Sequence, residues 1–326
     1  MEAPRALWIV RLAWLGLPFL AWAGPAAALS DASTASKVTV AGAGWVLWAA
    51  ALVASALARP WALVAVRLLM PLAPAATAVG LLLAAGDGAA AAGDGDTIRG
   101  VIGFSVGVAA AALVMLPSVG AFFLDGDSYG DERRFGFRCP GALVIVLGPL
   151  WLLGVGLPAV GLVLCAAQRW ALGVPALLVG GLAALWLWAV AARLARRFAV
   201  FVPAGLTLVD PLSLADPVLF ARNRTLSVEP ASAAEPVASG GQRVDLSGAA
   251  LGLAVELRTD GPTEIVTLSR PEERDNAATG SDDGGLAARL KSARMGVPRQ
   301  ADSVLFTPSR PAEFLLEARR TGLGRG

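Results

Sequence analysis

The chain is 326 residues long, 56% hydrophobic and only 16% charged. A soluble domain typically carries about 25% charged residues, so the shortage points to lipid as the solvent for much of the chain. The net charge of +2 and the lack of a long basic stripe give no basis for nucleic-acid binding.

The absence of histidine removes Ser-His-Asp and Cys-His nucleophile activation, imidazole metal ligation and histidine proton relays together. The shortage of charge is uneven. Every tryptophan lies at or before Trp188, whereas acidic and basic residues crowd in after Arg193. Two solvents follow: lipid for roughly the first 190 residues and water for the rest. The basic residues are nearly all arginine, which with the abundance of Ala, Gly and Val reads as GC-rich coding.

About six transmembrane helices are predicted, over residues 7–29, 38–58, 61–85, 101–124, 141–167 and 170–192. Each approaches the roughly 20 apolar residues that a bilayer crossing needs. Arg11 and Arg67 fall near span ends, and the expectation is that both snorkel to the headgroups. With the N-terminus inside, ten arginines lie on the cytoplasmic side (5, 11, 59, 67, 133, 134, 138, 193, 196, 197) against Lys37, Arg99 and Arg169 outside. That bias also places the C-terminus inside, at a bacterial plasma membrane. The first span has an alternative: Arg5, the apolar stretch and Ala26-Ala27-Ala28 fit a cleavable signal peptide.

Pro71, Pro74, Pro117, Pro149, Pro158 and Pro175 are expected to kink or end their helices. Gly103 and Gly107 form a Gly-x-x-x-Gly pair suited to close helix packing within the chain. Cys139 and Cys165 fall near opposite faces of the membrane and read as isolated packing residues.

The spans hold none of the Asp, Glu, Lys or His that ion-coupled transport uses at mid-membrane. The loop after the fourth span, Asp125-Gly126-Asp127-Ser128-Tyr129-Gly130-Asp131-Glu132-Arg133-Arg134, looks like an aspartate phosphotransferase motif or a calcium loop. It lacks an α/β domain for the first and the required ligands at its fifth and twelfth positions for the second. Asp125, Asp127, Asp131, Glu132, Arg133 and Arg134 are therefore read as a polar cytoplasmic loop whose arginines enforce the topology, with docking of a partner as the alternative. Asp94 and Asp96 in the outer loop make a weak cation contact at best. No catalytic residue, metal site or cofactor is expected, and the chain is read as a non-enzyme.

After the sixth span the pattern turns to β structure. Strands are expected at 198–202, 206–209, 225–229 and 251–258, with a hairpin at Asp260-Gly261 into 263–269. A further strand at 303–307 precedes a helix over 311–320 whose apolar stripe is Phe314, Leu315 and Ala318. Residues 229–242 and 270–285 read as disordered inserts. The expected domains are thus 1–197 in the membrane and 198–326 in the cytoplasm.

Two stretches carry a resemblance: Phe201-Val202-Pro203-Ala204-Gly205-Leu206-Thr207-Leu208-Val209-Asp210, and Val304-Leu305-Phe306-Thr307-Pro308-Ser309-Arg310-Pro311-Ala312-Glu313-Phe314-Leu315. They look like the first hairpin, and the last strand with its closing helix, of bacterial pleckstrin-homology-like domains. The arrangement resembles actinobacterial multi-pass membrane proteins with such a domain after the final span. The resemblance covers roughly the last 125 residues. It implies a small β-barrel that binds rather than catalyses. Arg193, Arg196, Arg197, Arg222 and Arg224 are the candidates to meet anionic lipid headgroups, with topological arginine and ordinary solvated loop charge as the other reading. The expected partners are the lipid bilayer and a cytoplasmic or membrane protein. The expected role is a membrane-anchored interaction module, with a component of a neutral- or lipidic-solute transporter or channel as the alternative.

Overall fold

The computed structural model describes residues 3–22, 25–26, 29, 32–86, 94–126, 128, 130, 132–231, 242–268 and 296–323. The chain divides into two units. The first comprises Met1–Asp127 and Ile145–Ala192, and the second Ser128–Val144 and Arg193–Gly326. The boundary expected at residue 197 is thereby redrawn, because a segment between two apolar helices belongs with the C-terminal residues.

The first unit is helical. Its described helices are α1 (Arg5–Ala21), α2 (Thr34–Ala56), α3 (Pro60–Leu69), α4 (Leu72–Gly86), α5 (Asp94–Val114), α6 (Pro117–Asp125), α7 (Gly141–Trp151), α8 (Leu157–Ala166) and α9 (Trp170–Ala195). Five stretches among the described residues are long and apolar enough to cross a membrane: Thr34–Ala56, Pro60–Leu83, Gly95–Val114, Gly141–Ala166 and Trp170–Ala195. The first expected span, 7–29, is described as helix over Arg5–Ala21, and residues 23–24 and 27–28 lie outside the described residues.

Helix α1 packs firmly. Leu7, Val10, Trp14 and Leu17 repeat at helical spacing and are buried with Ala51, Ala54, Leu63, Val66, Met70, Val114 and Phe123. Its other faces are apolar too, and Leu12 and Phe19 lie exposed. Apart from Arg5 and Arg11, a helix apolar on all its faces suits lipid on one side and protein on the other.

The prolines act as expected at three places. Pro71 separates α3 from α4, and Pro117 starts α6 just after α5 stops. Between Pro149 and Pro158 the helix relaxes into a π-helical turn, Leu152–Gly156, which absorbs the missing amide donors. Gly103 and Gly107 each meet another helix of the same chain. A Cβ on Gly103 would lie 2.7 Å from the Ala21 backbone, and one on Gly107 would lie 3.1 Å from Pro74. Asp94 and Asp96, expected in a loop, belong to the first turn of α5.

Arg11 and Arg67 differ from expectation. Arg11 donates to the carbonyl of Ser55, next to the last residue of α2. Arg67 donates from Nε to the carbonyl of Val114 at 3.3 Å, the last residue of α5. Both guanidiniums therefore cap helix C-termini, where unpaired carbonyls and the negative end of the helix dipole offer partners inside the bundle.

The second unit is a mixed sheet domain. One four-stranded sheet has the order β1-β2-β3-β4 and the other β5-β7-β8-β6. The strands are β1 (Arg133–Gly136), β2 (Phe198–Val202), β3 (Gly205–Val209), β4 (Val218–Ala221), β5 (Thr225–Pro230), β6 (Arg243–Asp245), β7 (Val255–Leu268) and β8 (Gly296–Phe306). All pairings are antiparallel except β6 with β8. Single bridges, Phe137 with Pro308 and Leu214 with Thr267, join the sheets at two corners.

Helix α10 (Pro311–Arg320) has the expected bounds, with Phe314 and Ala318 fully buried. Phe314 stacks within 5.0–5.4 Å of Phe201, Phe135 and Phe306, so one ring gathers strands β1, β2 and β8.

Two strand expectations change. Residues 251–254 precede β7 as a loop, so the alternation of Leu251 and Leu253 with small residues does not mark a strand there. Asp260-Gly261 does not turn a hairpin. Strand β7 runs through it, with Arg258 opposite Ser303 and Thr263 opposite Ala301. The four residues 259–262 thus bulge against Asp302 alone. Gly261 takes φ +89, and Thr259 Oγ1 donates to the Gly261 and Asp302 carbonyls, which closes the bulge. Glu229 and Pro230, expected in an insert, end β5. Residues 232–241 and the whole insert 270–285 lie outside the described residues.

Candidate functional site

Strand β1 comes from the charged loop between two membrane helices, and it pairs with β2 in a regular register, Arg133 opposite Phe201 through Gly136 opposite Phe198. The pairing continues beyond the strand. Phe137 N donates to Arg197 O at 2.9 Å, Arg138 N to Thr307 O at 2.9 Å, and Ser309 N to Gly136 O at 2.8 Å. Phe135 is buried in the aromatic core. Residues 133–138 of this loop thus pair with strands of the same chain.

Within that loop, Arg133 pairs with Glu317 of α10 at 3.1 Å. Arg134 lies 3.6 Å from Glu132 and covers the Phe198 ring at 5.4 Å. Asp125 ends α6. Asp127 and Asp131 lie outside the described residues.

The centre of the site is Arg197. Its side chain is 2% exposed, although it stands two residues beyond α9 in what reads as a stop-transfer cluster. Its Nε and Nη2 donate to the two carboxylate oxygens of Asp210, both at 2.8 Å. Nη1 donates to Arg138 O and Nη2 to Leu246 O, both at 3.0 Å. Asp210, also 2% exposed, accepts a further bond from Leu212 N at 3.0 Å. The Phe137 ring lies 5.7 Å from the guanidinium. A planar five-donor fork against a carboxylate and two carbonyls is the arrangement for which arginine is suited and lysine is not. It ties together the segment before α7, the segment after α9, the end of β3 and the end of β6.

Arg197 is therefore not a lipid-facing residue. Its charge is consumed inside the domain, where a headgroup cannot reach it. Arg193 and Arg196 are exposed and remain at the end of α9. Arg222 and Arg224 are exposed in a short 3-10 turn after β4, but they do not join the same patch. Phe198 starts β2, Val202 ends it opposite Gly205, and Gly205 lies opposite Ala221. Arg222 thus sits at the other end of the sheet from Phe198, roughly 13 Å away at 3.3 Å per residue.

A loop completes the Arg197 end of the domain. Residues 246–254 contain no charge. Gly248 O accepts a bond from Gly141 N, the first residue of α7, at 3.3 Å, and Arg138 Nη1 donates to Leu251 O at 3.2 Å. Burial raises the Cys139 thiol above its ordinary pKa, an effect that the nearby Arg197 charge partly offsets. Both cysteines are free. Among the described residues no group of three or more Cys, Asp or Glu is placed to hold a metal ion.

Sequence reasoning singled out Arg197 for its charge but missed its role. It did not find Asp210, Arg138 or the 246–254 loop as parts of one site. The available signal was Arg133-Arg134-Phe135-Gly136-Phe137, with its alternating aromatics ahead of a membrane span.

The fold and site define a helical membrane-protein architecture that carries a mixed sheet domain assembled from two separated segments. No protein-family model, no curated protein and no solved structure matches the chain.

Proposed function

We propose that the chain is a multi-pass plasma-membrane protein whose sheet domain is a cytoplasmic, pleckstrin-homology-like interaction module. Its work is to present a binding surface for a protein partner or lipid at the inner leaflet. The observation that carries this reading is the construction of the domain from two segments, each continuous with a membrane helix, closed by the Arg197–Asp210 pair. A domain whose two segments run directly into α7 and out of α9 is linked by the chain to apolar helices on both, which suits a module that acts near a membrane. Arg133, Arg134, Arg138, Arg193 and Arg196 belong to the same unit, and this concentration of arginine supports a cytoplasmic side.

Crosslinking in native membranes, followed by affinity purification and mass spectrometry, tests the reading. A reproducible protein partner or stoichiometric lipid supports it. Recovery of neither, together with solute flux through reconstituted vesicles, favours the second reading, a carrier or channel component. The breaks at Pro71 and Pro117 and the π-helical turn Leu152–Gly156 support that alternative, because interrupted helices build solute sites in transporters.

A further inference from the structure

We propose that residues 247–254 form a membrane-inserting loop, with Leu251 and Leu253 entering the inner leaflet beside the start of α7. This inference rests on the reading of the sheet domain as a module at the membrane boundary, and it names the surface and the occupant: the lipid bilayer.

The loop presents apolar side chains where a soluble domain would hide them. Leu251 is 78% exposed and Leu253 46%. No charged residue lies between Asp245 and Glu256. Such a run in contact with water is unfavourable unless something covers it.

The backbone shows that the loop is shaped rather than slack. Ser247 N donates to Asp245 Oδ1 at 2.7 Å, and Ala250 N to Ser247 O at 3.2 Å. Gly248, Ala249 and Gly252 all adopt positive φ. For Ala249 that conformation is strained, and such strain persists only where the surroundings enforce it. Together these turns lift Leu251 away from the sheet.

Position selects the occupant. Gly141 starts both α7 and an apolar stretch that runs to Ala166, so the bilayer boundary crosses the chain near Gly141. The loop is bonded to that residue through Gly248 O, and Pro140 packs on Gly248. At its root, Leu246 O accepts from Arg197. Leu251 and Leu253 are therefore held at the level where the chain itself enters lipid. Arg138 is exposed and donates to the Leu251 carbonyl, which puts a positive charge on the rim of the apolar tip. An apolar tip with a basic rim matches acyl chains under phosphate headgroups. The exposed Leu316 on α10, by contrast, has the ion-paired Glu317 beside it.

The test uses the full chain with Cys139→Ser and Cys165→Ser, reconstituted in phosphatidylethanolamine–phosphatidylglycerol vesicles. An environment-sensitive fluorophore is placed in turn at Leu251→Cys, Leu253→Cys and Leu316→Cys. The expected result is strong quenching by brominated acyl chains and weak quenching by aqueous iodide at 251 and 253, with the reverse at 316. Iodide access at 251 and 253 equal to that at 316 overturns the proposal. So does protection from both quenchers, which would mean that protein covers the loop. A membrane-impermeant thiol reagent applied to Leu316→Cys in right-side-out and inverted native vesicles reads sidedness separately. Labelling from the outer face alone would remove the cytoplasmic reading while leaving the quenching result to judge the loop.

Discussion

Replacing Arg197 with Met removes the guanidinium and keeps much of the side-chain volume. The two 2.8 Å bonds to Asp210 are lost, and the Arg138 and Leu246 carbonyls each lose a donor. Asp210 then stays buried as a carboxylate with Leu212 N as its remaining described donor. Breaking a buried pair from one side typically costs about 3–5 kcal/mol, because the surviving charge remains desolvated. Against a typical domain stability of about 5–15 kcal/mol, that is a large fraction.

Replacing both partners, Arg197→Met with Asp210→Leu, removes the stranded charge and should recover part of the loss. Recovery stays incomplete because two carbonyls still lack partners, at about 1–3 kcal/mol each if they remain dry. Hydrogen exchange of the full chain in detergent measures the effect through the amides of Phe137, Arg138 and Leu246, which are hydrogen-bonded in the native sheets. At about 1.4 kcal/mol per tenfold, the single variant should exchange roughly a hundred- to several-thousand-fold faster at these amides. Acceleration below tenfold in the single variant would refute the argument that Arg197 is an internal tie. A double variant less stable than the single would refute the stranded-charge explanation.

Three further outcomes follow from the geometry. The fragment 193–326 lacks β1 and Phe135 and should remain without cooperative thermal unfolding by circular dichroism, while added peptide 128–144 should restore it. In the full chain, Phe135→Ala should destabilise the sheet domain by about 3–5 kcal/mol, the usual cost of deleting a buried ring, as read by the same hydrogen exchange. Gly103→Val should lower the thermal unfolding temperature of the helical unit in detergent, because the Ala21 backbone leaves no room for a side chain. Gly95→Ala, which meets nothing, should leave it nearly unchanged.

The Cys139 thiol should alkylate with a pH midpoint above that of the unfolded chain, since burial disfavours the thiolate. The sign for stability follows: the unfolded thiol ionises first, so the domain loses stability as pH rises from the free-thiol value towards the folded one. Arg197→Met should move the midpoint higher, because it removes the cation that favours the thiolate. A midpoint at or below the unfolded value contradicts this account.

The parts of the site legible in the sequence are those with a local cause. Gly205 opens β3 just after the turn that follows 198–202, and its φ of +155 lets the chain pass close to Phe220 O, where a Cβ would lie 2.0 Å away. Pro311 at the helix start and the Phe314–Ala318 spacing marked α10 to the residue. Strand β1 carried no such mark. Four residues flanked by arginines read as loop charge, and only pairing with residues more than sixty positions later makes them a strand. Leu251 and Leu253 misled in the opposite sense. Their alternation fits a strand, but Gly248, Ala249 and Gly252 bend the backbone out of the sheet.

The amino-acid sequence by itself determined that this protein meets two solvents, where most of its apolar helices lie, and that the final residues form strands closed by a helix. Those properties depend on transfer free energy and on periodicity, both of which act over a few turns of chain. The tertiary structure alone decided that the loop before Gly141 belongs to the sheet domain. It also decided that Arg197 serves Asp210 rather than the bilayer, and that the apolar 246–254 segment is bonded to the start of a membrane helix. Each of these joins residues distant in sequence, and the energy of such a contact resides in geometry that no single segment carries.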